Sequence, residues 1–191
     1  MNASFAATYP CVRARRRVLG ALLAVLVPAA AAGPQASEYQ VKAAYLCKFA
    51  NYVEWPPAPA GSPQPPFVIG LLASQAIVDE MAQVARGLAV DGRAVVVRRL
   101  RAGDGFEGVS IVFIARSDAA RVHEALAALQ GRPVLTVTEA EPGSDVGSIV
   151  NFVVIDDKVR FDIALPPAQR GGLKISARLL AVARVVTGSS L

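Results

Sequence analysis

With 191 residues, over half of them hydrophobic, the chain is long enough for one α/β domain with a substantial core. Its formal charge of +5 does not mark a nucleic-acid binder, because residues 1–32 hold four Arg and no acid, and without them the charge falls to +1. Cys11 lies in that same segment, so Cys47 is the single thiol beyond it and an internal disulfide is excluded there.

The segment itself reads as an export signal. Arg13, Arg15, Arg16 and Arg17 precede an uncharged run, Val18 to Ala32, which ends in Ala30-Ala31-Ala32 before Gly33, a small-residue cleavage pattern. The run is short for a membrane span and Pro28 interrupts it. A cleavable signal peptide over 1–32 is therefore expected, followed by one domain over 37–187 in the bacterial periplasm. Arg15-Arg16 loosely resembles a twin-arginine signal, but general export is the simpler expectation.

The stretch from Glu38 to Pro56, EYQVKAAYLCKFANYVEWP, opens that domain. Ser37 is a helix N-cap and Glu38 places negative charge in the first turn. Val41, Tyr45 and Phe49 form one apolar row and Leu46, Phe49 and Val53 its neighbour, predicting an amphipathic helix that Trp55 and Pro56-Pro57 end. Cys47 aligns with Ala43 and Ala50, as a buried thiol does. Residues 57–66 form a Pro/Gly-rich loop. Phe67–Leu72 is a buried strand, and Ser74–Ala85 a helix with Ile77, Met81 and Val84 on one face and Gly87 as its stop. Ala94–Leu100 and Ser110–Ala115 are strands, Ser117 caps a helix carrying Val122, Leu126 and Leu129, and Pro133–Thr138 is a further strand.

This alternation implies right-handed crossovers and an α/β layered sandwich with a mostly parallel sheet. Ile149–Ile155 and Lys158–Leu165 around Asp156-Asp157 then read as an antiparallel hairpin extending it. A last helix carries Leu173, Ile175, Leu179, Leu180 and Val182 on its apolar side.

No catalytic constellation emerges. Gly103-Asp-Gly105-Phe-Glu-Gly108 fits G-x-G-x-x-G formally, but it leads into a strand, whereas a dinucleotide fingerprint opens a helix. His123 is the only histidine, and Ser117 and Asp118 stand at spacings that do not converge on it. One His and one buried Cys cannot make a zinc site. Glu139, Glu141 and Asp145 lack the alternating acids of a calcium loop. No catalytic residue, cofactor or metal is expected, and Asp156-Asp157 is a turn.

Three segments together resemble a known family. They are E-Y-Q-V-K-A-A-Y-L-x-K-F-A-x-Y-V-E-W-P at 38–56, G-S-I-V-N-F-x(6)-K-V-R-F-D-I-A-L at 147–165, and R-G-G-L-K-I-S-A-R-L-L at 170–180. In order and spacing they resemble the YfiR-type periplasmic proteins, with Cys47 standing where an aromatic is usual and with no counterpart of the disulfides of the best-known members. The resemblance implies a non-enzymatic regulator that binds and represses the sensor portion of an inner-membrane diguanylate cyclase, controlling cyclic-di-GMP and biofilm formation. An outer-membrane partner that sequesters it and a homodimeric assembly are further expectations. Tyr52, Glu54 and Trp55 at the helix exit, and Arg170, Leu173, Lys174, Ile175 and Ser176 at the entry of the last helix, are the expected partner-binding residues, since Trp, Tyr and Arg are enriched at interface hot spots. The alternatives are a small-ligand module using Ser74 and Ser117 beyond the strand ends, or an adaptor for a sensor kinase or outer-membrane receptor.

Overall fold

The computed structural model describes residues 36–57, 65–101 and 103–188. The expected signal peptide lies outside them, as does most of the Pro/Gly-rich loop. In chain order the elements are α1 (Glu38–Ala50), β1 (Val53–Glu54), β2 (Phe67–Leu72), α2 (Gln75–Ala85), β3 (Ala89–Val90), β4 (Arg93–Arg99), β5 (Val109–Ile114), a 3₁₀ stretch (Arg116–Arg121), α3 (Val122–Leu129), β6 (Leu135–Thr138), β7 (Val150–Ile155), β8 (Lys158–Ala164), α4 (Leu165–Arg170), β9 (Lys174–Ile175), α5 (Ala177–Leu180) and β10 (Val185–Thr187).

Eight strands form one sheet in the order β10-β8-β7-β6-β5-β2-β4-β3, and β1 pairs with β9 in a separate ribbon. The centre, from β4 to β7, is parallel; the β3–β4 and β7–β8 hairpins are antiparallel, and β10 returns parallel to β8. This is the layered α/β sandwich with a mostly parallel sheet and an antiparallel hairpin that the sequence predicts. Period-two alternation divides the core between two faces. Phe67, Ile69, Leu71, Ile111 and Phe113 meet α1 and α2, while Leu72, Val112 and Ile114 meet Val122, Ala125 and Leu129 of α3.

Helix α1 begins where its cap directs. Ser37 Oγ accepts from Gln40 N–H at 3.2 Å and Gln40 Oε1 accepts from Ser37 N–H, a reciprocal box that satisfies two orphan donors. Phe49 stacks on Phe152 and meets Phe161 edge-on, with ring centroids 5.8 and 5.0 Å apart, and Tyr45 joins the same cluster. Burying a side chain such as Leu46 or Phe49 stabilises the fold by about 1.5–3 kcal/mol each. Cys47 is buried and unpaired, and burial pushes its thiol pKa up, away from reactive thiolate.

Three sequence expectations are corrected and one strand is added. Helix α1 stops at Ala50, capped by Asn51, so Val53 is a strand residue. Ser117 caps nothing: residues 116–121 are 3₁₀, Asp118 departs from helical geometry, and α3 starts only at Val122. The strand read over Ala94–Leu100 has an edge partner, β3, joined through Asp91-Gly92 with both φ positive, a dipeptide that favours such two-residue turns. The continuous last helix is absent. Its apolar residues are divided among the link after Gly172 (Leu173), β9, α5 and the turn after it, because tertiary pairing with β1 and β8 overrides their helical spacing.

The two halves of the sheet meet at a narrow seam. β6 and β7 pair only through Val137↔Val150 and Thr138↔Asn151. Side chains extend the contact: Asn151 Nδ2 donates to Ala140 C=O at 3.1 Å, Asn151 Oδ1 accepts from Ala140 N–H at 2.7 Å, and Ile149 N–H donates to Thr136 Oγ1 at 2.9 Å.

Candidate partner-binding surface

The chain leaves α1 through a tight turn in which Tyr52 N–H donates to Phe49 C=O at 2.9 Å, and it is then extended as β1. From the other end of the molecule, α4 stops at Gly171. A side chain there would bring its Cβ to 2.5 Å from the Arg132 carbonyl oxygen, and Gly172 adopts φ +69°, so the turn requires glycine at both positions. Leu173 N–H donates to Ala168 C=O and β9 comes next. Val53 then faces Ile175 and Glu54 faces Lys174, while Ser176 N–H donates to Tyr52 C=O at 2.9 Å.

The ribbon thus brings together two groups of predicted residues more than a hundred positions apart. Tyr52, Glu54 and Lys174 are exposed, and Trp55, Ile175 and Ser176 are half-buried. Lys174 Nζ stands 3.9 Å from Glu54 Oε2, with both side chains largely in water. Two residues fall elsewhere. Leu173 is buried and closes the core under the ribbon, so it positions β9 without being available to a partner. Arg170 is exposed on a separate groove that it shares with His123 and Arg132. Trp55 stacks edge-on with Phe67 at 5.3 Å, so its ring also belongs to the core.

The groups considered for chemistry are dispersed. His123 is exposed on α3, and Ser117 Oγ donates to Asp118 Oδ2 at 3.1 Å. Ser74 Oγ caps α2 by accepting from Ile77 N–H. The 103–108 glycines lie in the loop entering β5. Glu139 is committed to structure: its Oε1 accepts from Lys42 Nζ and its Oε2 from Arg116 N–H at 2.7 Å.

The Lys42–Glu139 contact has no counterpart among the sequence expectations. Lys42, on the core side of α1, is buried with Glu139, and it also pairs with Glu38 one turn earlier. Its ammonium lies 5.0 Å from the Tyr39 ring centroid. Burial, with the negative charge of Glu139 and Glu38, pushes the Tyr39 hydroxyl up to about 12. The cluster fastens the start of α1 to the end of β6. Its only sequence signal is the i,i+4 spacing of Glu38 and Lys42.

Among the described residues, no helix is long and apolar enough to cross a membrane. Residues 39–184 match the family model described as YfiR/HmsC-like. No individually curated protein matches the chain.

Proposed function

The chain belongs to the YfiR/HmsC-like family, and from that premise we propose that it is a non-enzymatic periplasmic regulator which binds and represses an inner-membrane diguanylate cyclase sensor. The 1–32 segment directs it to that compartment and is then cleaved off. Repression lowers cyclic-di-GMP and biofilm formation, and an outer-membrane partner that sequesters the protein lifts it. Assembly as a homodimer belongs to the same proposal.

The observation that carries the reading is the β1–β9 ribbon. It sets Tyr52, Glu54 and Lys174 on one outward face, while Val53, the partly open Trp55 and Ile175 turn to the core that Leu173 closes. An exposed tyrosine beside charges of both signs is chemistry suited to a protein partner. Control of a cyclase requires the regulator to bind one state of the sensor more tightly than the other.

The test is capture from detergent-solubilised host membranes with the purified protein as bait and Lys174→Glu as control. Recovery of a cyclase by the bait and its loss in the control support the proposal. Recovery of a kinase or receptor instead removes cyclic-di-GMP from the function. Empty capture by a folded bait overturns the regulator reading.

A further inference from the structure

Strand β4 is only half covered on its outer edge. β3 pairs with Arg93 and Ala94, and Leu88 C=O accepts from Val95 N–H at 3.0 Å. Beyond Val95, no described residue pairs with that edge. On the inner side Leu100 N–H donates to Leu71 C=O at 2.9 Å, which fixes the alternation: the N–H and C=O groups of Val97 and Arg99 point away from β2. Val97 packs towards α1 and α2, so its neighbour Val96 projects from the opposite face, where it is 42 % exposed. An open, β-branched edge of this kind is a template for another strand.

Charge specifies which strand. Arg93, Arg98, Arg99 and Arg101 fall within nine residues, and no acid occurs between Gly92 and Gly103. Among the described residues none of the four is in an ion pair, so this short run gathers four positive charges with no carboxylate against them. Arg93 lies over the Phe67 ring, Arg98 donates to Glu107 C=O, and Arg99 donates to Ala73 C=O and Gln75 Oε1. A second copy of the chain is the wrong occupant. Antiparallel self-pairing over the open stretch Val96–Leu100 centres on Arg98 and sets its two copies directly opposite, where like charges destabilise.

We propose that the outer edge of β4 is a docking strand for an extended, acidic segment of another protein, which pairs with the outward groups of Val97 and Arg99 and sets its row of carboxylates against Arg98 on the face of Val96, with Arg99 on the other face adding to the positive charge of the edge. This surface is separate from the β1–β9 ribbon, and its test does not depend on the membrane partner.

The probes are two end-blocked heptapeptides, one alternating Val and Glu, the other Val and Lys, titrated into the purified protein with amide hydrogen exchange as the second readout. The Glu peptide is expected to bind, to slow exchange at Val97 and Arg99, and to lose affinity as salt rises. The Lys peptide is expected to bind at least about tenfold more weakly. Arg98→Glu, at an exposed site that leaves the fold intact, weakens the Glu peptide by about fivefold. Equal binding of both peptides, binding of neither, or protection that bypasses Val97 and Arg99 overturns the proposal. So does self-association that protects the same two amides with no peptide present.

Discussion

Lys42 and Lys174 each meet a glutamate from a distant part of the chain, yet the Lys42 and Glu139 side chains are both 1 % exposed while those of Lys174 and Glu54 are 82 % and 77 % exposed. The buried pair has lost its water and is held by the groups that replace it: a second carboxylate from Glu38, the Tyr39 ring, and Arg116 N–H on the free oxygen of Glu139. Such a pair is stable only when complete, because removing one member strands a desolvated charge. The exposed pair gives up little solvation and contributes little, so either charge is free to turn to another protein. One pair therefore fixes where α1 starts, and the other leaves the exit of α1 chemically open.

Breaking the buried pair has the largest expected effect. Lys42→Ala leaves Glu139 buried without its cation and lowers stability by about 3–5 kcal/mol, read from urea unfolding. Lys42→Met combined with Glu139→Leu recovers most of that loss; a double variant as unstable as the single one would contradict the assignment. Next comes the turn beneath the exposed pair. Gly171→Ala drives a Cβ into the Arg132 carbonyl and costs about 1–3 kcal/mol, and capture of a membrane partner falls with it if the ribbon is the contact surface.

A pH series sharpens the comparison further. The Tyr39 hydroxyl is pushed up to about 12 in the folded protein against an ordinary 10.0. The folded state therefore keeps a proton that the unfolded state has lost, and stability falls as pH rises from 10 towards 12. Tyr39→Phe removes that component, so parallel slopes for the two proteins would place Tyr39 outside the cluster. The smallest effect belongs to the exposed pair. Glu54→Ala, Lys174→Ala and their combination are expected to show a coupling below about 1 kcal/mol, and a larger value would make the ribbon pair structural.

Local signals made much of this molecule legible in its sequence. The Ser37 cap, the continuous apolar runs of β2 and β5, and the Asp156-Asp157 turn, where both residues adopt positive φ, each encode their structure within a few residues. The features that stayed hidden depend on partners far along the chain. A lysine on a helix reads as solvated, and nothing near Lys42 announces Glu139, ninety-seven positions away. Leu173, Ile175, Leu179 and Leu180 have helical spacing, but Gly171-Gly172 and the pull of β1 set Leu173 just before β9 and Ile175 within it. For the candidate surface, residue type pointed to both of its groups. Their contact is a register, Glu54 opposite Lys174, that composition does not carry.

The aromatic cluster under α1 also has a consequence in time. α1 is the first of the described elements, yet Tyr45 and Phe49 pack on Phe152 and Phe161 from β7 and β8, roughly a hundred residues later, on strands that join the parallel half through only two backbone pairs. Closing so long a loop costs entropy before any contact repays it, so the topology favours late formation of this aromatic cluster, after the helix has met β2 and α2. Until the hairpin arrives, Tyr45 and Phe49 lack their aromatic partners, while Ala43, Leu46 and Cys47 already have β2 and α2 to pack on. The element that opens the fold thus has an aromatic end that stays uncovered while the chain is incomplete.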